Sequence, residues 1–423
     1  MLSEQSLVEQ KAEAMDKKFE RLTKNIKKLT NEINSLQHIH NQSVIHFLQL
    51  KKENEAIRYL FKMAKTIYSK LTSDEQEQQP IPKVTFIPAQ PLPPEVFSIT
   101  TIPYEVTPEN TKIHLKYAIK TNSVICSVAF DGSGKFIAFS NCKSVFIVNT
   151  EQGTIHTYFN IFTNTFTKED YPRSIRISPD SNYLAVADPQ NNIIIFSILL
   201  NKVIASLSCH ENRISSLLFS NDSRRLYSGG FDGKVCIWDL VTMKLIKTVI
   251  NDQVGTPGQA NPNMVLALAK DADDQFIAVG FINGSVGISD MDFSQPLTCF
   301  RAHEESKYLL DVAISPFDGI LATSSKDNST KIWSIIGVAK CKHVLHEHED
   351  MVLSVCFSPL SSICFTGSKD ETFKGWDYKK GELLFSMRAH KNTIFELVHH
   401  PTKKIIATCS GDAHVCLWEY DIP

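Results

Sequence analysis

The sequence has little net charge, no long apolar run and no paired-cysteine motif, and each absence excludes a class of protein. Its 44 lysines and arginines nearly balance 46 aspartates and glutamates, so nonspecific attraction to nucleic acid or to an anionic membrane is not expected. No apolar run approaches the ~20 residues that a membrane span needs, and residues 1–10 lack the apolar core of a signal peptide. We therefore expect no direct nucleic-acid partner and no membrane.

The ten cysteines are scattered, and no two have C-x-x-C spacing. Cys126, Cys236, Cys356 and Cys416 lie within apolar, strand-like patterns, which indicates buried, reduced thiols in a cytosolic or nuclear protein. A phosphate-binding loop, an H-E-x-x-H helix, a G-x-S-x-G elbow and a cysteine–histidine zinc spacing are all missing. The sequence thus predicts no enzyme, no cofactor and no metal site.

The first 72 residues are typical of one long helix. Apolar residues recur at alternating steps of four and three and form a heptad seam. The core of the seam is Phe19, Leu22, Ile26, Leu29, Ile33 and Leu36. No proline precedes Pro80, and a helix of about 70 residues, ~105 Å long, cannot bury its apolar stripe alone. We expect residues 1–72 to form an oligomerising coiled coil.

The number of helices in the oligomer stays open. Isoleucine at a and leucine at d favour two strands, as does Asn54 at an a position. Further along, Ile39, Val44 and Leu60 widen the stripe, which suits more than two helices and favours a tetramer. The alternative is a helix that folds back on its own chain.

A proline-rich linker follows over residues 73–110, which contain eight prolines from Pro80 to Pro108. Proline fixes φ and removes a backbone donor, so this stretch is predicted to be neither helix nor central strand.

From residue 111 to 423 the chain repeats with a period of about 40 residues, typical of propeller blades. All four tryptophans fall at one position of the repeat, namely Trp238, Trp333, Trp376 and Trp418. Three degenerate units raise the count to seven, and two polar insertions, 160–170 and 251–263, are expected to be surface loops. The sequence predicts an all-β seven-bladed WD-repeat β-propeller with an N-terminal α-helical coiled coil. The last unit lacks its outer strand, which the alternating residues 112–117 should supply.

Four units carry the same polar set, with the aspartate six residues before the tryptophan. The sets are His210, Ser228, Asp232 and Trp238; His303, Thr323, Asp327 and Trp333; His348, Thr366, Asp370 and Trp376; and His390, Thr408, Asp412 and Trp418. A histidine beside a hydroxyl and an aspartate invites a hydrolase interpretation. Four copies argue instead for structural tetrads, in which Trp N–H, hydroxyl, imidazole and carboxylate form one hydrogen-bond chain.

The remaining candidate site is a surface. Aligned on residues 127–130 (SVAF), each inner strand offers one residue to the mouth of the central channel. Around the ring these are Cys126, Arg173, Ser215, Leu266, Leu310, Leu353 and Phe395, with Phe231 and Ile282 beside them. The last four of the ring are large and apolar on consecutive blades, which predicts an exposed apolar patch that partner proteins cover. The alternative is that some of these side chains pack inward.

Several segments carry a family resemblance. Residues 123–130 (SVICSVAF), 137–142 (IAFSNC), 352–355 (VLSV), 367–370 (GSKD) and 407–412 (ATCSGD) resemble the Tup/Groucho-type WD-repeat transcriptional corepressors, closest to the fungal Tup branch. The resemblance covers nearly the whole propeller, whereas the N-terminal helix matches by position and type.

The resemblance implies a nuclear scaffold, also present in the cytoplasm, that acts as a transcriptional corepressor. It implies that the helix oligomerises and binds a tetratricopeptide-repeat corepressor, and that the top of the propeller binds DNA-bound repressor proteins. Cys126 and Ser215 match top-face positions that the family uses. It also implies histone tails as partners of the middle region, although this linker is much shorter than the family's. The alternative is a WD-repeat scaffold of an autophagy, ubiquitin-ligase or G-protein-β-like signalling complex.

Overall fold

The computed structural model describes residues 98–100, 113–142, 144–160, 171–250, 263–304 and 308–422. Within these ranges every regular element is a β-strand. The predicted coiled coil of residues 1–72, with its seam, lies outside the described residues, as do nearly all of the linker and the two insertions. The strands form seven antiparallel sheets, and the predicted count of seven blades is confirmed.

Blades one to six are four-stranded, and in each the strands lie side by side in chain order. Blade one has β3 (Val128–Phe130), β4 (Phe136–Ser140), β5 (Ser144–Asn149) and β6 (Ile155–Asn160); blade two has β7 (Ile175–Ile177), β8 (Tyr183–Ala187), β9 (Asn192–Ser197) and β10 (Lys202–Ser208); blade three has β11 (Ile214–Phe219), β12 (Arg225–Gly230), β13 (Lys234–Asp239) and β14 (Lys244–Ile250). Blade four has β15 (Val265–Lys270), β16 (Phe276–Phe281), β17 (Ser285–Asp290) and β18 (Thr298–Arg301); blade five has β19 (Leu309–Ile314), β20 (Ile320–Ser325), β21 (Thr330–Ser334) and β22 (Lys340–Leu345); blade six has β23 (Val352–Phe357), β24 (Ile363–Ser368), β25 (Thr372–Asp377) and β26 (Glu382–Arg388).

Blade seven closes the ring with strands from both ends of the chain. Its innermost strand, which we call the inner strand in every blade, is β27 (Ile394–His399). It is followed by β28 (Ile405–Ser410) and β29 (His414–Tyr420), and the outer strand is β2 (Ile113–Lys120). Strand β2 pairs antiparallel with β29, which confirms the predicted ring closure. This pairing satisfies the ladder edges that both segments would otherwise expose.

A short strand in the linker was not predicted. β1 (Ser98–Thr100) pairs antiparallel with β2 and makes the seventh sheet five-stranded. It lies at the edge of that sheet, and it contains none of the linker's prolines, so its backbone N–H groups remain able to pair. The linker therefore contributes one edge strand to the seventh blade.

The core lies between neighbouring blades. The second strands are buried on both faces, as the wholly buried β24 and β28 show, because each is covered by a blade on either side. The outer strands alternate or face water, as in β14. Each fully buried large apolar side chain contributes roughly 1.5–3 kcal/mol relative to exposure. Trp418 packs in this way, with its ring 5.6 Å from that of Phe373 in the preceding blade.

Candidate functional site

Five inner strands contain a β-bulge near their first residue. In each case the unpaired residue is one that the sequence assigned to the mouth of the channel. These residues are Ser215, Leu266, Leu310, Leu353 and Phe395. A bulge puts two residues opposite one and turns a side chain out of the regular alternation. The five residues therefore occupy equivalent positions around the ring.

Cys126 and Arg173 take the same place in the first two blades, where the inner strands are shorter. They precede Val128 and Ile175, the first residues of β3 and β7, by two positions, as Ser215 precedes Leu217. Arg173 is exposed, whereas Cys126 and Ser215 are half-buried. Burial raises the pKa of the Cys126 thiol to about 12 even though Arg173 opposes the shift, so this cysteine stays protonated.

Phe231 and Ile282 lie at the same end of the sheets as the bulges. The start of the inner strand is beside the end of the second strand, since Ile214 pairs with Gly230. The backbone N–H of Phe231 donates to the carbonyl of Arg213 at 2.9 Å, and that of Ile282 donates to the carbonyl of Met264 at 2.9 Å. We call this end of the propeller, where the inner strands begin, the top face.

The structure brings Arg173 and Phe231 together from neighbouring blades. The guanidinium carbon of Arg173 lies 5.5 Å from the centre of the Phe231 ring and 5.6 Å from that of Tyr171. These are cation–π distances, and such stacking holds an exposed arginine in one orientation. Tyr171 was missed by the sequence reasoning; its signal was an aromatic residue two positions before the channel-mouth arginine. Arg213 joins Tyr171 and Arg173 around one small cleft.

The apolar patch predicted on blades four to seven, which we call the apolar arc, is less exposed than predicted. Leu266, Leu310, Leu353 and Phe395 are all half-buried, and Phe395 packs against the core cluster that joins blades seven and one. Inward packing therefore takes up part of each side chain and leaves the rest exposed. Phe317, which is 57% exposed, lies elsewhere, whereas the exposed Tyr308 directly precedes β19 at the top face.

The four structural tetrads each contain one continuous hydrogen-bond chain. The indole N–H donates to the Ser or Thr hydroxyl at 2.9–3.1 Å. The hydroxyl lies 2.7–2.8 Å from histidine Nε2, and histidine Nδ1 lies 2.8–3.1 Å from the carboxylate. The indole N–H bonds the hydroxyl oxygen, the hydroxyl residue is fully buried in all four blades, and the arrangement satisfies buried polar groups.

The tetrad aspartates also hold a tight turn. Asp370 accepts the backbone N–H of Thr372, and Asp412 accepts that of His414. The residues between, Glu371 and Ala413, have φ of 71° and 68°, a conformation that costs a side-chain-bearing residue energy. Burial works against ionisation of Asp370, but hydrogen bonds from His348 and Thr372 outweigh it and hold its pKa far below the ordinary range.

A second set of side chains joins the inner strands to one another. In six of the seven blades the residue after the channel-mouth position accepts a backbone N–H from the next blade at 2.8–3.2 Å. The acceptors are Ser127, Ser174, Ser216, Asp311, Ser354 and Glu396. The sequence reasoning missed this girdle, although its signal was a recurring hydroxyl or acid one residue beyond each channel-mouth residue.

Two carboxylates in the girdle differ in their partners. Glu396 accepts the Ser127 hydroxyl at 2.6 Å and pairs with Arg176 at 2.8 Å. Burial of Asp311 outweighs the hydrogen bond from the Val355 N–H and, together with the charge of Glu396, raises the pKa of Asp311 to about 7. The girdle thus contains one carboxylate that is ion-paired and one whose ionisation is opposed by burial.

Among the residues that the structure describes, no cluster of three or more His, Cys, Asp or Glu side chains is arranged to hold a metal ion. Over that same part of the chain, no helix has the length and apolarity to span a bilayer.

The family comparison matches the four segments of the chain that contain tetrads. Residues 201–239, 294–334, 339–377 and 381–419 match the WD40 family described as "WD domain, G-beta repeat". These four segments are WD40 repeats. Each WD40 repeat starts on the outer strand of one blade and ends on the third strand of the next, so the repeats interlock neighbouring blades.

The chain is only distantly similar to individual known proteins. The chain is 25% identical over 162 residues (38% of this chain) to Periodic tryptophan protein 2 of Arabidopsis thaliana. It is 21% identical over 210 residues (50% of this chain) to WD40 repeat-containing protein smu1 of Dictyostelium discoideum, and 24% identical over 160 residues (38% of this chain) to Transcription factor unc-37 of Caenorhabditis elegans. The matched parts cover 17%, 31% and 24% of those proteins.

Proposed function

We propose that this chain is a non-enzymatic scaffold that acts as a transcriptional corepressor, with a propeller that binds proteins through its top face. The observation that carries the proposal is the make-up of that face. Arg173 of blade two lies against the rings of Tyr171 and of Phe231 in blade three. Half-buried leucines occupy the equivalent positions on blades four to six. Arginine and aromatic residues dominate the binding energy of protein interfaces.

The partners of this proposal are DNA-bound repressor proteins. The resemblance of the first and last blades to Tup/Groucho-type corepressors supports it, as does the similarity to a protein named as a transcription factor. A nuclear location, a tetratricopeptide-repeat corepressor on the N-terminal helix and histone tails as partners of the linker belong to the same proposal. The tetrads are assigned to blade stability, since their hydroxyl residues are fully buried and hydrogen-bonded within the blade.

Avidity is the proposed role of residues 1–72. If that segment oligomerises, several propellers act together, and linked sites raise apparent affinity by ~10²–10⁴-fold without new contacts. Leu29→Pro is expected to break the helix, to leave propeller folding intact and to reduce the particle mass measured by light scattering on the full chain. An unchanged mass in Leu29→Pro would contradict the assignment of this segment.

The experiment for recruitment compares two substitutions in one blade. Leu310→Asp alters the top face at the start of β19, whereas Phe317→Asp alters an exposed residue beyond the other end of that strand. Chromatin immunoprecipitation of the full chain should show lost occupancy for Leu310→Asp and normal occupancy for Phe317→Asp. Equal loss in both variants, or no chromatin association of the wild-type chain, contradicts the proposal.

A tethered reporter separates recruitment from repression. When the full chain is fused to a DNA-binding domain, the fusion replaces recruitment through the top face. Repression of the reporter should then be the same for the wild-type chain and for Leu310→Asp. A wild-type fusion that does not repress the reporter would contradict the corepressor role and favour a scaffold with another function.

A second candidate is a scaffold of a signalling complex. The chain is 27% identical over 214 residues to Target of rapamycin complex subunit LST8-1 of Arabidopsis thaliana, a match that covers 69% of that protein and 40% of this chain. Residence of the chain away from chromatin, with a normal top face, favours this candidate.

A further inference from the structure

Two cysteine sulfurs meet in blade three, outside both the tetrads and the proposed top-face residues. Cys209 directly follows β10, and Cys236 lies within β13. Their Sγ atoms are 2.8 Å apart, which is within about 1 Å of the ~2.05 Å length of a disulfide bond. Cys236 is buried, whereas Cys209 is half-buried and therefore within reach of a small solute.

The same two positions touch in another blade, where they carry no sulfur. Cys209 precedes the tetrad histidine by one residue, and Cys236 precedes the tetrad tryptophan by two. In blade five these positions are Ala302 and Lys331, and the Lys331 ammonium donates to the Ala302 carbonyl at 2.9 Å. The two positions are thus neighbours in blades three and five, and of the four tetrad blades only the third has cysteine at both positions.

We propose that Cys209 and Cys236 form a reversible intramolecular disulfide when the protein meets hydrogen peroxide. The Cys209 sulfur attacks one peroxide oxygen, the O–O bond breaks, and the leaving hydroxide takes a proton to become water. Cys236 then attacks the sulfur of the resulting Cys209 sulfenic acid, the S–O bond breaks, and a second water leaves. Two thiols lose two electrons and two protons, and one peroxide is reduced to two waters.

The order of attack follows from the surroundings. Burial, followed by the contact with Cys209, holds the pKa of the Cys236 thiol well above its usual range, so Cys236 is a poor first nucleophile. The half-buried Cys209 meets the oxidant first, and the neighbouring Cys236 resolves the sulfenic acid before it is oxidised further. Thr248 lies beside both sulfurs, with its hydroxyl oxygen 3.4 Å from the Cys209 sulfur and 3.9 Å from the Cys236 sulfur.

The bond would join the segment in front of His210 to the third strand of the blade. That segment leads to Arg213, which shares the cleft with Arg173 on the top face. Crosslinking positions 209 and 236 reduces the freedom of the unfolded chain, so the oxidised propeller should unfold at a higher temperature. This inference does not depend on the proposed corepressor role.

The test is a peptide map of the full chain after peroxide treatment and alkylation of the remaining thiols. Trypsin releases residues 203–213 and 235–244, each with one cysteine. We expect these two peptides joined and lighter by two hydrogens after peroxide, separate after a thiol reductant, and never joined in Cys209→Ser. The control Cys299→Ser, which changes an exposed cysteine on blade four, should form the link as the wild type does.

Thermal unfolding supplies a second reading that does not depend on mapping. Peroxide should raise the melting temperature of the wild type and of Cys299→Ser by several degrees, and reductant should restore it. Cys209→Ser should show no rise, and Cys236→Ala should repeat that result if it folds. Oxidation of Cys209 to sulfinic acid while Cys236 stays alkylatable, or a joined pair other than 209 with 236, overturns the proposal.

Discussion

The guanidinium of Arg173 lies 5.5 Å from the centre of the Phe231 ring, although 57 residues separate the two in the chain. Arg173 lies two residues before the first strand of blade two and Phe231 lies in a turn of blade three, so the contact spans a blade boundary. Tyr171 covers the guanidinium from its own blade. A charged group that is stacked in this way presents its N–H donors to the solvent with little freedom left to lose on binding.

This contact should appear as a coupling free energy. In a double-mutant cycle, Arg173→Ala and Phe231→Ala should couple by about 0.5–1 kcal/mol, the range for exposed cation–π pairs. Denaturant unfolding of the wild type, both single variants and the double variant measures it. Arg173→Ala combined with Ile282→Ala, which lies in blade four, is the control and should give additive changes. Additivity in the first cycle would show that the rings do not hold the arginine.

Asp370→Ala is expected to destabilise the propeller by about 1–3 kcal/mol. The substitution leaves the buried His348 without its carboxylate and removes the bond that holds the turn before Thr372. Urea unfolding measures the loss. Asp421→Ala is the matched control, because that side chain is 94% exposed, and its unfolding free energy should change by no more than about 0.5 kcal/mol. An Asp370→Ala chain as stable as the control would remove the structural role of the tetrad.

Acid should weaken the fold through His399. Burial lowers the pKa of this histidine to about 4, and its ring lies 2.6 Å from both the Tyr420 hydroxyl and the His400 carbonyl. A folded-state pKa below the unfolded value of ~6.5 means that the unfolded chain binds the proton first. The stabilisation is therefore complete above about pH 6.5 and is lost as the pH falls toward 4.

The variant His399→Gln isolates this effect. Asp311 acts with the opposite sign over a similar range, because its raised pKa of about 7 makes the folded state bind a proton first. Comparing wild type with His399→Gln at each pH cancels that contribution. The stability advantage of the wild type should shrink by on the order of 2–3 kcal/mol between pH 7 and pH 4. An advantage that stays constant would show that His399 is not held neutral.

Ring closure by β2 should make Ile119 as important as a residue of the central strands. Ile119 is fully buried and lies opposite Val415 of β29, 296 residues later in the chain. Ile119→Ala is expected to cost about 2–5 kcal/mol of unfolding free energy, as for other large-to-small core changes. His114→Ala, an exposed position on the same strand, should cost no more than about 0.5 kcal/mol. Equal effects of the two changes would show that β2 contributes little to closure.

Most of the propeller was predictable because its signals are local. The alternation within each strand, the turn before each tryptophan and the fixed spacing of each tetrad need only residues within one repeat. The same locality gave the seven residues assigned to the channel mouth, five of which are the bulged residues of their strands. The edge strand β1 was not predictable, since three residues between prolines carry no period.

The sequence by itself determined the number of blades, the strand that closes the ring and the members of each tetrad, because periodic burial and turn chemistry act over a few residues. Only the tertiary structure decided which blades' side chains meet. The stacking of Arg173 on Phe231, the approach of Cys209 to Cys236 and the half-burial of the apolar arc all depend on how neighbouring sheets pack and on where each bulge turns its side chain. Arg173 and Phe231 belong to different blades, and Cys209 and Cys236 belong to different segments of one repeat, so the local sequence pattern does not encode the distance between the members of either pair.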